Sequence, residues 1–386
     1  MDFGLTEAQQ MIKTSAKEFL ERECPKSFVR AMEHDERGFT PELWRRLAQV
    51  GWLRMPFPEE SGGDGQDFVT VALLLEEMAR ACLPGPYFTS VALCGLPIAQ
   101  FGSPAQKREY LKKIGDGQLI MSLATLEPSV RYDTAGVQLE ATARDGGFVL
   151  NGTKLLVPYA NSADSLLVSA RTKKTARPRA VRTATADDGI TMFIVPTSAR
   201  GISLTPLKTI AYDPQHEVAF NNVQVGRDAV LGQVDGGAAI FDKISQWGAV
   251  GSCAMMVGAA DKVLEMTVEY VKSRVAFGRP IGAFQAIQHH CANMAVDAES
   301  SRAITFEAAW HVAEGLPETD RMVSMAKGWT SEATRHLYAL GHQCHGAIGL
   351  TLEYDLQLYS RRCKVWEMTF GDANYHQDRL TRLAGL

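Results

Sequence analysis

The chain has 386 residues, 46% of them hydrophobic, with 40 Lys and Arg against 44 Asp and Glu and a formal net charge of −4. That near balance leaves no electrostatic footprint for nucleic acid, so an anionic ligand must be held by a few local cations. The seven cysteines, Cys24, Cys82, Cys94, Cys253, Cys291, Cys344 and Cys363, contain no C-x-x-C pair. They read as reduced thiols of a cytoplasmic protein rather than as a zinc site or a disulfide framework. The N-terminal MDFGLTEAQQ has neither a basic nor an apolar leader segment, and no run of 18 apolar residues occurs. The expectation is therefore no signal peptide and no membrane span.

In chain order, Thr6 and Gln9 form a capping box ahead of an apolar stripe at Met11, Ile12, Ala16, Phe19 and Leu20. Thr40-Pro41-Glu42 opens a second helix that stops at Gly51. A loop at Pro58–Gly65 precedes helical pattern at 68–80, with short helices near 91–101 and 104–115. The pattern changes to period two from about Ser122. Residues 137–143 alternate apolar and polar, and Phe148-Val149-Leu150 ends in Asn151-Gly152, which reads as a turn. Strands are expected at 165–170, 191–195 and 217–220. The stretch Arg171–Asp188, with six basic residues and no aromatic interleaving, reads as a solvated loop. From about Gly236 the chain is helical again, over 238–274, 284–315 and 318–341, with Leu337 and Leu340 turned inward. The order gives three segments, 1–118 helical, 119–230 β and 231–386 helical.

General motifs add little. There is no G-x-G-x-x-G after a strand and no P-loop. His289-His290 lacks an i+4 ligand, and His342 and His345 are not a ligand set, so no metal site is expected.

A set of local sequences in register says more. Pro58-Glu59-Glu60-Ser61-Gly62-Gly63-Asp64-Gly65 resembles P-E-E-x-G-G-x-G. Glu127-Pro128 with Asp133 resembles T-E-P-x-x-G-S-D, and Leu150-Asn151-Gly152-Thr153-Lys154 resembles L-N-G-x-K. Arg274-Val275-Ala276-Phe277-Gly278, followed by Phe284-Gln285, resembles R-x-x-F-G-x-x-x-x-x-x-Q. Gln343-Cys344-His345-Gly346-Ala347-Ile348-Gly349 resembles Q-x-x-G-G-x-G, and Glu353-Tyr354 and Arg361 follow. Together they resemble the acyl-CoA dehydrogenase family over essentially the whole chain.

The resemblance implies an α+β fold: an N-terminal α-helical domain, a β-barrel-like middle domain and a C-terminal four-helix bundle. It implies FAD, an acyl-CoA thioester, a tetramer with each FAD across a subunit interface, and an electron-transfer flavoprotein as electron acceptor. It also implies that Arg274, Phe277, Gln285, Gln343, Cys344, His345, Gly346 and Ala347 grip the adenine and pyrophosphate of a neighbouring subunit's FAD.

The departures are as specific as the matches. The family's catalytic Glu position is Phe370, in the ungapped run Val365-Trp366-Glu367-Met368-Thr369-Phe370-Gly371-Asp372. Its alternative Glu position is Gly248, and the adjoining Arg position is Ala249. Glu367 and Asp372 lie close in sequence and read as a surface charge or a loop cap. The Thr of T-E-P is Leu126, the Gly and Ser of G-S-D are Arg131 and Tyr132, and the flavin-flanking stretch is Leu156-Val157-Pro158. A subunit of a heteromeric (α₂β₂) acyl-CoA dehydrogenase is the most economical expectation. Its partner would be a Glu-bearing acyl-CoA dehydrogenase subunit. Two alternatives stand beside it. One is a self-sufficient homotetramer with an unusual base or non-oxidative chemistry, and the other is a non-catalytic acyl-CoA-binding or scaffold protein.

Overall fold

Thr6 Oγ1 accepts from the Gln9 N–H while the Gln9 side chain accepts from the Thr6 N–H, and this capping box opens α1 (Glu7–Glu23). Of its expected stripe, Ala16 and Leu20 are buried and Met11 is exposed, so the packed face is narrower than the periodicity suggests. The computed structural model describes residues 4–173 and 189–386. The chain divides into two compact units, Met1–Arg30 with Asp67–Leu83 and Ala249–Leu386, and Ala31–Gln66 with Pro84–Gly248.

Next come α2 (Lys26–Met32), α3 (Pro41–Gln49), capped by the Thr40 hydroxyl, and α4 (Phe68–Ala81), capped by the Asp67 carboxylate. A π-helical turn at Phe88–Gly95 leads into α5 (Leu96–Phe101), and a second at Lys107–Leu111 joins α6 (Pro104–Gln106) to α7 (Lys112–Gly115).

The middle strands are β1 (Met121–Ala124), β2 (Glu140–Arg144), β3 (Gly147–Pro158), β4 (Ser165–Arg171), β5 (Ile190–Pro196), β6 (Ile202–Leu207), β7 (Gln215–Val225) and β8 (Val230–Leu231). They form one sheet in the order β6-β7-β3-β2-β4-β5-β8, with β1 parallel to β4. Leu150, Leu166, Val168, Phe193, Val195 and Val218 lie in its core.

Three local expectations change here. Asn151-Gly152 is not a turn. The β2–β3 hairpin turns at Asp145 (φ 48°) and Gly146 (φ 80°), the positive pair that a two-residue loop of matching twist requires. Asn151-Gly152 is instead a register irregularity inside β3, with Gly152 at φ 145°. The strand expected from Val137 begins only at Glu140, because the Gln138 and Leu139 N–H groups donate to the Glu127 carboxylate rather than to a ladder. Arg171, expected in a loop, is the last residue of β4, and its guanidinium donates to Val137 O and Thr134 O. The rest of that expected loop, 174–188, lies outside the described residues.

The C-terminal part is helical: α8 (Gly237–Ser273), a small hairpin of β9 (Val275–Ala276) and β10 (Arg279–Pro280), then α9 (Gln285–Glu314), α10 (Thr319–His345), α11 (Leu356–Met368) and α12 (Ala373–Leu383). In the first unit α8 approaches α4 closely. A β-carbon at Gly258 would lie 1.9 Å from Glu76 O, so only glycine fits. Glu76, 1% exposed there, accepts from Lys13 at 2.9 Å and from Arg302, which also pairs with Asp261.

Candidate functional site

The segment around Phe370 lies between two helices of the first unit. At the end of α11 the Thr369 N–H donates to Val365 O, and the chain turns through Phe370 (φ 60°) and Gly371 (φ 98°). A phenylalanine in the left-handed region is strained and needs its surroundings to hold it. Two buried side chains do so. Lys327 of α10, fully buried, donates at 2.7 Å to both Glu367 O and Gly371 O. His376 of α12 donates from Nε2 to Phe370 O at 3.0 Å, which places its proton on that nitrogen. Burial lowers Lys327 to about 8. Burial, then the charge of Lys327, lowers His376 to about 3.

Both nearby carboxylates are committed. Glu367 is buried and pairs with Lys364 at 3.0 Å, with Arg335 at 3.9 Å. Asp372 caps α12 by accepting from the Tyr375 N–H at 2.9 Å. Gly248 and Ala249 are buried within α8. Sequence reasoning missed Lys327 and His376. The available signal was a cation on the buried stripe Val323, Ala326, Thr330 and Thr334 of α10.

In the second unit, the T-E-P-like and L-N-G-x-K-like elements are joined by an ion pair. Lys154, fully buried, donates to Glu127 at 2.6 Å, to Ser169 Oγ at 3.0 Å and to Thr125 O at 3.3 Å. Burial lowers Lys154 to about 8, against the opposing pull of Glu127. The Leu155 N–H donates to Leu126 O at 2.9 Å. These bonds tie the 125–127 segment to β3. Three side chains here are not polar: Leu126 is half-buried, Leu156 is exposed at φ 51°, and Pro158 has no N–H. The Pro158 carbonyl accepts from the Ser122 hydroxyl, and Arg131 pairs with Asp133 at 2.8 Å. None of Leu126, Leu156 and Pro158 offers a side-chain donor to the polar edge of a ring system.

The residues expected to hold a diphosphate all lie in the first unit. Tyr270, near the end of α8, stacks on His345 at the end of α10 with ring centroids 4.5 Å apart. The Ile281 N–H donates to Arg274 O at 2.8 Å, closing the small hairpin ahead of Gln285. Arg274, Gln285 and Gln343 are exposed, and their side chains have no partner among the described residues. Phe277 is 95% exposed at φ 50°, with its ring edge-on to Phe284. Gly346 and Ala347 are also exposed. Cys344 and His345 differ from the other six residues expected to touch cofactor, because their side chains are buried. His345 donates from Nδ1 to Gly341 O at 2.8 Å under Tyr270, so its ring is a packing element. A free guanidinium with two free carboxamides is the donor chemistry a diphosphate requires.

The N-terminal, middle and C-terminal domain families of acyl-CoA dehydrogenase match residues 6–118, 122–223 and 235–384. The chain belongs to the acyl-CoA dehydrogenase family. It is 30% identical over 377 residues to the probable acyl-CoA dehydrogenase YngJ of Bacillus subtilis (strain 168), covering 96% of each chain. Butyryl-CoA dehydrogenase from Megasphaera elsdenii superposes with a TM-score of 0.89 at 28% identity, over 100% of both chains. A chain of the ChsE4–ChsE5 complex from Mycobacterium tuberculosis superposes at 0.90 and 27% identity, over 100% of this chain and 99% of that one. The fold is therefore the acyl-CoA dehydrogenase fold, helical, sheet and helical in chain order.

FAD is the cofactor of this family. The exposed donors Arg274, Gln285 and Gln343 have the chemistry its diphosphate needs, whereas the side chains of Leu126, Leu156 and Pro158 offer no hydrogen-bond donor to its ring. Among the described residues, no group of His, Cys, Asp and Glu is placed to hold a metal ion, and no helix is long and apolar enough to cross a membrane.

Proposed function

We propose that this chain is the base-deficient subunit of a hetero-oligomeric, FAD-dependent acyl-CoA dehydrogenase. The reading rests on the family resemblance that puts Phe370 at the base position, and one observation supports it: Phe370 lies in a turn held by Lys327 and His376, and both carboxylates of the segment are already committed. A phenyl ring accepts no proton, and losing general-base assistance costs roughly 10²–10⁴ in rate.

In this reading a Glu-bearing partner subunit supplies the base and the ring pocket. Arg274, Gln285 and Gln343 of this chain hold the diphosphate of the shared cofactor, and Phe277 packs beside it. Bound FAD supplies a two-electron acceptor. The assembled reaction takes an acyl-CoA thioester to its trans-2-enoyl-CoA, with an electron-transfer flavoprotein as acceptor and the cytoplasm as the compartment. Similarity to a chain of a two-component complex supports the heteromeric arrangement.

The test is acyl-CoA turnover with an artificial electron acceptor, by the chain alone and after co-expression with a Glu-bearing family member encoded nearby. Turnover only in the mixture, abolished by Glu→Gln in the partner, is the expected result. Full turnover by the chain alone refutes it.

A further inference from the structure

Helices α9 and α10 run antiparallel, and two contacts fix their register. The Thr305 and Thr330 hydroxyls are 3.4 Å apart. A β-carbon at Gly341 would lie 3.6 Å from the terminal methyl of Met294. The second pair lies eleven residues from the first on each helix. Three residues further along each, the same register sets Cys291 opposite Cys344. Burial raises both thiols there, and beside it Cys344 lowers the Cys291 thiol while Cys291 raises that of Cys344, which favours the thiolate on Cys291. The two thiols differ in access. Cys344 is 5% exposed. Cys291 is half-buried and lines a cavity of about 350 Å³, walled by Val268, Val271, Pro280 and Ile287. The other five cysteines are all buried.

We propose that Cys291 and Cys344 are a peroxide-sensitive dithiol pair, in which Cys291 takes oxidising equivalents from a small hydroperoxide entering the cavity and Cys344 resolves the product as an intrachain disulfide. The Cys291 thiolate attacks one oxygen of hydrogen peroxide; the O–O bond breaks, the departing oxygen takes up the proton that the thiol released and leaves as water, and Cys291 carries a sulfenic acid. The Cys344 sulfur then attacks that sulfur. The S–S bond forms, the S–O bond breaks and a second water leaves. Two thiols give up two electrons and hydrogen peroxide accepts both. Burial raises both thiols above the ordinary range, Cys344 to about 11. The thiolate fraction at neutral pH is therefore small, and the reaction accelerates about tenfold per pH unit.

The experiment treats the reduced, purified chain with hydrogen peroxide at pH 7 and pH 8, alkylates it under denaturing conditions and maps peptides without reduction. The expected product is a peptide pair linked through residues 291 and 344, formed about tenfold faster at pH 8 and reversed by dithiothreitol. Cys344→Ser traps a dimedone-reactive sulfenic acid on Cys291, and Cys291→Ser abolishes the link. The wild-type map decides the question even if either variant fails to fold. Three results overturn the proposal: Cys291 passing to sulfinic acid while Cys344 stays alkylatable, a link between Cys291 residues of two copies, or earlier oxidation of another cysteine. None of these results bears on the proposed subunit role.

Discussion

Lys327→Met removes the ammonium that bridges Glu367 O and Gly371 O. Each carbonyl left buried and unpaired costs about 1–3 kcal/mol. Against this, the folded state no longer buries a charge. Lys327 sits at about 8 rather than 10.5, a difference of about 3 kcal/mol. The two effects largely offset near pH 7, leaving a net loss of about 0–3 kcal/mol. They separate with pH. Between about 8 and 10.5 the unfolded wild-type chain holds one more proton than the folded one, so wild-type stability climbs with pH. The variant lacks that group. Its deficit should therefore widen by about 2 kcal/mol between pH 7 and pH 9.5. Urea unfolding of both proteins at the two pH values measures this directly. A deficit that stays constant or shrinks at pH 9.5 would refute the assignment of Lys327 as a charged clamp on this turn.

The acid side has a corresponding test. His376 is held at about 3 against an ordinary 6.5, so wild-type stability should fall as pH drops from 6.5 towards 3, by up to about 5 kcal/mol. His376→Gln, which keeps a donor for Phe370 O, should flatten that slope in acid-unfolding curves, and an unchanged slope counts against it. Phe370→Glu should not create acyl-CoA turnover in the chain alone, because the apolar Leu126, Leu156 and Pro158 remain in the second unit; substantial turnover would show that the base was the only missing part. In the complex with a Glu-bearing partner, Arg274→Ala and Gln285→Ala should each weaken flavin retention roughly tenfold to a hundredfold, while Phe370→Ala leaves turnover largely unchanged. Retained flavin in the first two variants with lost turnover in the third would reverse the assignment of the halves.

Much of this architecture was legible because local signals agreed with the global fold. The Thr6 capping box, the Thr40-Pro41 helix start and the long C-terminal helices were set by nearest neighbours. The misreadings came from interactions distant in sequence. The carboxylate of Glu127 takes two N–H groups that local alternation would give to a strand. Asn151-Gly152 has turn composition but sits where β3 must pair on both sides, and Asp145-Gly146 already supplies the turn. Register with a family pattern singled out Arg274, Gln285, Gln343 and Phe370, of which the first three are exposed. Lys327 and His376 lie outside that pattern, and their partners are backbone carbonyls some 40 and six residues away. Nor did the motif distinguish the exposed Gln343 from the buried Cys344 and His345, since that depends on Tyr270 packing from another helix.

The proposed subunit role requires that this chain lack a complete flavin site of its own. The direct measurement is FAD per chain by absorbance after gel filtration, for the chain alone and for the co-expressed complex. The expected result is little bound flavin in the isolated chain and full occupancy of the partner-supplied ring sites in the complex. A stoichiometrically yellow assembly of this chain alone, turning over an acyl-CoA, would contradict it.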